Sequence, residues 1–128
     1  MEPNNALALI VSPNPPLKTY LELVFEDFGL TPHTEPTLLK GLHYLKEHTP
    51  RIIVLDELHE KGLDSAGFVW RIKRIKRLRR TPTIQIVRGS NERERITMEI
   101  SGADHIVELP IKDRRFRKLV EELLSISR

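Results

Sequence analysis

The chain alternates short, continuous apolar runs with longer segments in which apolar residues recur every three or four positions. Continuous runs bounded by turn residues predict buried strands, whereas recurrence with the helical period predicts amphipathic helices. The predicted strands are residues 6–11, 30–34, 51–55, 83–87 and 105–108. The predicted helices are residues 15–28, 37–47, 65–80, 91–100 and 113–126. Five such strand–helix units favour a parallel sheet that is covered by helices on both faces.

We therefore predict one α/β domain over residues 1–128, a three-layer, doubly wound, five-stranded parallel sheet. Right-handed crossovers leave few topologies, and the flavodoxin-like order 2-1-3-4-5 is a common one. That order places the second strand at an edge, where Pro32 is tolerated. Gly29 should end the first helix in a left-handed conformation, while Asp113 is expected to cap the last helix and Ser90 or Asn91 the fourth.

Composition excludes several classes of function. The 128 residues include no cysteine, so disulfides, thiolate metal sites and cysteine nucleophiles are absent. No segment approaches the roughly 18 apolar residues of a membrane span, and the polar start is unlike a signal peptide. No cluster of acid, base and nucleophile indicates an enzyme. We expect a cytoplasmic protein that is not an enzyme and does not contact membranes.

The net charge of +3 hides a strongly basic run. Residues 71–80 contain seven of the 21 basic residues and no acid, so the remainder of the chain is net negative. On the predicted helix, Ile72 and Ile75 would face the core, and Trp70 would pack at its edge. The outward basic surface would comprise Arg71, Lys73, Arg74, Lys76, Arg77 and Arg80. Such a surface suits an acidic protein partner, the phosphates of a nucleic acid, or plain solvation.

Asp56 directly follows the best-defined predicted strand, residues 51–55. Open α/β sheets place their functional sites beyond the carboxyl ends of their strands. From the residues alone, Asp56 is either a functional carboxylate or a surface acid that ends a strand.

Three stretches resemble the receiver domain of two-component response regulators: residues 9–15 (LIVSPNP), 50–56 (PRIIVLD) and 101–111 (SGADHIVELPI). The last is the most specific, since receivers commonly have Gly-Ala-Asp before the fifth strand and Lys-Pro after it. The resemblance extends over almost the whole chain. It implies that Asp56 is equivalent to the aspartate that accepts a phosphoryl group from a histidine kinase, and that the Leu109–Pro110 bond is cis.

The other positions that the resemblance implies have changed. Where the family has an acid pair that holds Mg²⁺, this chain has Ser12 and Pro13. Val87 stands in place of the hydroxyl residue that ends the fourth strand, and Leu109 in place of the lysine before the proline. Mg²⁺ needs hard oxygen ligands, and phosphoryl transfer depends on positioning and charge stabilisation. We expect Mg²⁺ binding to be weak or absent, and no other cofactor. Arg88 is either a substitute cation that pairs with Asp56 or a solvated loop arginine.

The favoured function is an atypical receiver, or pseudo-receiver, that acts through protein–protein contacts with weak or absent aspartyl phosphorylation. Its partner would be a histidine kinase or an output protein, and helix 4, strand 5 and helix 5 could form a homodimer. Two alternatives remain open: a genuine phosphoacceptor receiver that is phosphorylated on Asp56, and a nucleic-acid-associated module that uses the basic helix 71–80. The chain ends directly after the last helix, as expected for a receiver excised from a longer regulator.

Overall fold

A single parallel sheet organises the chain in the computed structural model, which describes residues 6–89 and 92–126. Its strands are β1 (Leu7–Val11), β2 (Thr31–Glu35), β3 (Ile52–Leu55), β4 (Thr83–Val87) and β5 (His105–Glu108). The helices are α1 (Pro15–Asp27), α2 (Leu38–Leu45), α3 (Ser65–Ile72), α4 (Glu92–Ser101) and α5 (Asp113–Ile126). All neighbouring strands are parallel, in the order β2-β1-β3-β4-β5. The predicted fold class and strand order are confirmed.

The two faces of the sheet bury two separate apolar clusters, because side chains alternate along each strand. Even-numbered positions of β1, β3 and β4 pack with α1 and α5, and the odd-numbered positions of β1 and β3 pack with α2 and α3. The first cluster includes Ile10, Val54, Ile86, Phe25, Phe116 and Val120. The second includes Leu9, Val11, Ile53, Leu55, Leu38, Phe68 and Ile72. Each fully buried side chain of this size contributes about 1.5–3 kcal/mol, so the strands are held firmly where their carboxyl ends converge.

The first helix starts and ends as its sequence predicts. The Asn14 side chain accepts a hydrogen bond from the Leu17 amide at 3.0 Å, and two prolines occupy the first helical positions. Gly29 follows the helix with a φ of 80°, a conformation that side chains disfavour. The peptide bond between Leu109 and Pro110 is cis, as expected.

The third helix is shorter than predicted. It ends at Ile72, and residues 73–80 form successive turns in which the amides of Arg74, Ile75 and Leu78 bond three residues back. Like charges recur three or four residues apart through this run, which disfavours a helix. The prediction of a basic helix over residues 71–80 is therefore wrong. Ile75 is 40% exposed and Trp70 is 51% exposed, so neither packs where the helical pattern placed it.

Two predicted caps have different outcomes. Asp113 is the first residue of α5 rather than its cap, and the Phe116 amide bonds to the Lys112 carbonyl instead. The Asp113 carboxylate accepts hydrogen bonds from Tyr20 and Arg117, which draws it away from the helix end. The expected cap at Ser90 or Asn91 lies outside the described residues.

A small antiparallel hairpin, His59–Glu60 with Leu63–Asp64, replaces the loop that was expected after Asp56. The Glu60 carboxylate accepts from the amides of Leu38 and Leu39 at 2.5 and 3.3 Å, and so caps α2. Asp64 caps α3 through the Gly67 amide at 2.8 Å. The hairpin is thus fixed to both helices of this face. No helix in the described part of the chain is long and apolar enough to cross a membrane.

Candidate functional site

The Asp56 carboxylate is saturated with hydrogen-bond donors from three different segments. Asp56 is only 2% exposed. Its Oδ1 accepts from the Glu57 amide at 2.7 Å and from Arg88 Nε at 3.1 Å. Its Oδ2 accepts from Ser12 Oγ at 2.7 Å and from Arg88 Nη2 at 2.8 Å. A carboxylate offers about four lone-pair positions, so these four donors leave none for a further ligand.

Arg88 supplies the positive charge of the site. It follows β4 directly, and its guanidinium makes a two-point contact with the carboxylate, the geometry in which arginine binds acids most strongly. The hydrogen bond to Asp56 raises the pKa of Arg88 above its already high value. The Arg88 amide also donates to Glu57 Oε1 at 2.7 Å. The main chain and the side chain of Arg88 are therefore both tied to the segment after β3.

The backbone around Asp56 is held as tightly as its carboxylate. Ser65, the fully buried first residue of α3, donates its hydroxyl to the Asp56 carbonyl at 2.9 Å and accepts from the Leu58 amide at 2.7 Å. Gln85 Nε2, from the middle of β4, also donates to the Asp56 carbonyl, at 3.1 Å. Both the side chain and the main chain of Asp56 thus have fixed directions.

The remaining predicted positions surround this centre without touching the carboxylate. Pro13 is exposed in the loop after β1, and Val87 is buried at the end of β4. The Leu109 amide bonds to the Val87 carbonyl at 2.9 Å, which continues the β4–β5 ladder. A cavity of about 600 Å³ opens beside the site. It is lined by Leu17, Tyr20, Arg88, Leu109, Pro110 and Ile111. The mouth of the site is mainly apolar.

These residues do not fit Mg²⁺. Around Asp56 the neighbouring donors are a hydroxyl, a guanidinium and an amide, and both carboxylate oxygens are already engaged by the guanidinium. Mg²⁺ is usually held by one or two carboxylates with water and phosphate oxygens in octahedral geometry. Nowhere among residues 6–89 and 92–126 do three or more His, Cys, Asp or Glu side chains form a group suited to a metal ion.

The predicted basic surface divides into two sets. Lys73 donates to the carbonyls of Arg79 and Thr81 and pairs with Asp104 at 2.8 Å. Arg77 donates to Leu45, the last residue of α2, and to His48 and Thr49 just beyond it. These two cations hold the turns against neighbouring elements. The other members, Arg71, Arg74, Lys76 and Arg80, are exposed, and so is Arg79.

Several contacts at the site could not be predicted. Glu57, Ser65 and Gln85 all contact the Asp56 segment or Arg88, yet none belongs to a spacing pattern that indicates such a role. Gln85 was the most detectable, since a polar side chain inside an otherwise apolar strand predicts a hydrogen-bonded position.

Solved structures with the same architecture identify the fold. The signal receiver domain of a signal transduction histidine kinase from Syntrophus aciditrophicus superposes with a TM-score of 0.85 at 25% identity, over 94% of this chain and 90% of that chain. The chain has the receiver-domain fold of response regulators. The Francisella response regulator 1452 receiver domain gives 0.82 at 17% identity, over 97% and 100% of the two chains.

The chemotaxis response regulator CheY4 of Vibrio cholerae gives a TM-score of 0.81 at 14% identity, over 93% of this chain and 98% of that one. No protein-family model matches the sequence, and no curated protein matches it either. The family resemblance seen in the sequence is thus supported at the level of the receiver fold, and the state of Asp56 rests on its local geometry.

Proposed function

We propose that this receiver domain is an atypical signalling module that acts through protein–protein contacts, with Asp56 held in an ion pair instead of being phosphorylated. The observation that carries the proposal is the saturation of the Asp56 carboxylate by Arg88, Ser12 and the Glu57 amide. A carboxylate oxygen must be free to attack phosphorus. Here each oxygen already accepts two hydrogen bonds.

The guanidinium also offsets the charge that a metal ion would otherwise balance. Arg88 lies on the solvent side of Asp56, with 41% of its side chain exposed against 2% for the aspartate. A metal ion that approached Asp56 would therefore meet a fixed cation before it met the carboxylate. Displacing Arg88 would break a two-point, charge-assisted contact, which supports weak or absent Mg²⁺ binding.

The proposed partner is a protein of a signalling pathway, either a histidine kinase or an output protein, and the module itself is not an enzyme. A homodimer through α4, β5 and α5 is the companion proposal. In that region Arg95 pairs with Glu108, while Ile96 and Ile100 are 48% and 78% exposed. An apolar pair beside a cross-element ion pair is suited to a two-fold contact, because the same patch occurs on both copies.

The decisive test is incubation of the protein with Mg²⁺ and acetyl phosphate, followed by intact-mass measurement. Beryllofluoride with Mg²⁺ provides a second assay, read from amide chemical shifts around residues 12, 56 and 88. The wild-type chain should gain no phosphoryl group and show no saturable shift. A change that saturates with Mg²⁺ and disappears in Asp56→Asn would overturn the proposal and favour a genuine phosphoacceptor.

A reconstructed site supplies the matched positive control. The combination Ser12→Asp, Pro13→Asp and Arg88→Ala adds the acid pair and removes the competing cation. We expect Mg²⁺-dependent shifts in this variant and their loss when Asp56→Asn is added. If the reconstructed site stays as inert as the wild type, Arg88 is not what keeps Asp56 from the metal.

A further inference from the structure

The exposed indole of Trp70 forms a second candidate site, on α3 and away from the Asp56 carboxylate. Trp70 is 51% exposed, and the Arg74 guanidinium lies over its ring with Cζ 3.8 Å from the centroid. Tryptophan and arginine are the residue types most enriched among the energetically dominant residues of protein interfaces. The stacked Trp70 and Arg74 side chains present both residue types at the surface in a fixed arrangement.

A cavity of about 520 Å³ adjoins the indole. Trp70 and Arg71 line it from α3, together with residues of the hairpin and the first turn of the helix. These are His59, Glu60, Gly62, Leu63, Asp64 and Gly67. Its walls are fixed rather than loose, because Glu60 caps α2 and Asp64 caps α3. The hollow is large enough to admit one apolar side chain of a partner.

The charge around the indole indicates the chemistry of that partner. In the part of the chain that the structure describes, Arg71, Arg74 and Lys76 form no ion pair, whereas nearby Lys73 is paired with Asp104. Surface cations without an internal acid attract acids from outside. We propose that the Trp70 patch, defined as Trp70, Arg71, Arg74 and the adjoining cavity, docks an acidic protein segment that carries one aromatic or aliphatic side chain.

An acidic peptide fits this patch better than a nucleic acid does. One face of the indole is already covered by Arg74, which limits stacking of successive bases. Residues 73–80 form turns, and two of their cations hold internal carbonyls, so no regular basic helix is available to track a backbone.

The patch is mechanically connected to Asp56. Ser65 begins α3 and donates to the Asp56 carbonyl, while its amide bonds to the Leu58 carbonyl at 3.0 Å. Trp70 lies on the same helix, and the hairpin starts at His59, shortly after Leu58. A partner on the patch would therefore contact elements whose position is set by the Asp56 segment.

Trp70 is the only tryptophan of the chain, so its fluorescence reports on the patch directly. The probe is a short, fluorescein-labelled peptide of Asp and Glu with one central Phe, titrated at low salt. We expect saturable binding by polarisation, protection of Trp70 from acrylamide in titrations with the unlabelled peptide, and weakening as salt rises. Arg71→Glu with Arg74→Glu should weaken binding at least about tenfold, and Trp70→Ala should weaken it comparably.

The matched control is Arg114→Glu with Lys118→Glu, two exposed cations of α5 whose replacement changes the net charge equally. It should bind the peptide like the wild type, and a peptide with Ala in place of Phe should bind more weakly. If both double variants lose the same affinity for the peptide, net charge alone explains the effect and the proposed site is wrong. Tighter binding of a single-stranded oligothymidylate, or no saturable peptide binding, would also overturn it. None of these outcomes depends on whether Asp56 is phosphorylated.

Discussion

The first and fourth helices flank the same sheet but are attached to it in opposite ways. Helix α1 buries Leu17, Leu21, Val24 and Phe25 against the strands. In α4, of the side chains that the structure describes, Ser101 alone is buried, and Ile96 and Ile100 face solvent. The sheet beneath differs too, since β4 carries the buried polar residues Thr83 and Gln85 on its face away from α1. Helix α1 therefore covers a core, whereas α4 presents a surface.

The difference shows where such a domain can change without unfolding. Elements with few buried apolar contacts open at low free energy, whereas core elements open only with the whole domain. The Asp56 site lies at the boundary, because Ser12 precedes α1 and Arg88 precedes α4. The Asp56 carboxylate thus joins the segment before the firmly packed α1 to the segment before the weakly packed α4.

The largest expected effect comes from truncating one apolar side chain on each of the two helices. Phe25→Ala should lower the free energy of unfolding by about 3–5 kcal/mol, because it leaves a cavity in the core. Ile100→Ala should change it by less than about 0.5 kcal/mol, since the side chain is 78% exposed. Urea denaturation measures both. Similar losses in the two variants would show that α4 is packed as firmly as α1.

The next effect concerns the link between the two sides. Arg88→Ala should lower the free energy of unfolding by about 1–3 kcal/mol, because it leaves the buried Asp56 carboxylate without its cation. This expected loss is smaller than for a fully buried ion pair, because the Arg88 side chain is 41% exposed and water can replace it. Thermal and urea unfolding provide the measurement.

Two further variants distinguish a pairing effect from a simple loss of packing. Arg88→Lys keeps the charge but loses the two-point contact, so an intermediate stability is expected. Asp56→Asn combined with Arg88→Ala removes both charges and should recover part of the loss. If the double variant is as unstable as the sum of the singles, the two residues are not coupled.

A smaller effect is expected at the contact between α4 and β5. Arg95→Ala removes the ion pair with Glu108, and since both side chains are more than 40% exposed the global loss should stay below about 1 kcal/mol. Amide exchange in α4 should accelerate while exchange in α1 stays unchanged. Equal acceleration in both helices would mean that α4 does not open separately.

The smallest effect is a dependence on pH at the contact between α1 and α5. The hydrogen bond from Tyr20, helped by Arg117, holds the pKa of Asp113 below its usual value. A carboxyl whose pKa is depressed on folding stabilises the native state above its unfolded pKa and loses that contribution as pH falls through the folded pKa. In Tyr20→Phe, the free energy of unfolding should therefore fall less than in the wild type between neutral pH and pH values below about 4. An unchanged acid profile would contradict this assignment.

The sequence predicted the firmly packed elements of the molecule better than its exposed segments. Apolar periodicity reports burial, so β1, β3, α1 and the inward face of α5 agree with the structure almost residue by residue. Apolar periodicity failed in residues 73–80, where Lys73 and Arg77 donate to the carbonyls of Thr81 and Leu45, contacts that no local pattern reveals. The position of Asp56 followed from the end of a strand. Its pairing with Arg88 was one of two alternatives, and choosing between them required the register of β3 and β4, which sequence spacing does not supply.

Gly41 makes part of this arrangement depend on a residue far from the carboxylate in sequence. A β-carbon at this position would lie 2.9 Å from Cγ2 of Val11, so α2 approaches β1 only because the glycine lacks one. Val11 immediately precedes Ser12, the hydroxyl donor to Asp56. Positions 11 and 41 therefore share one fixed volume, and in related sequences a larger residue at one should co-occur with a smaller residue at the other. Where that compensation is missing, the ion-paired state of the aspartate should be disturbed even though every residue that contacts it is unchanged.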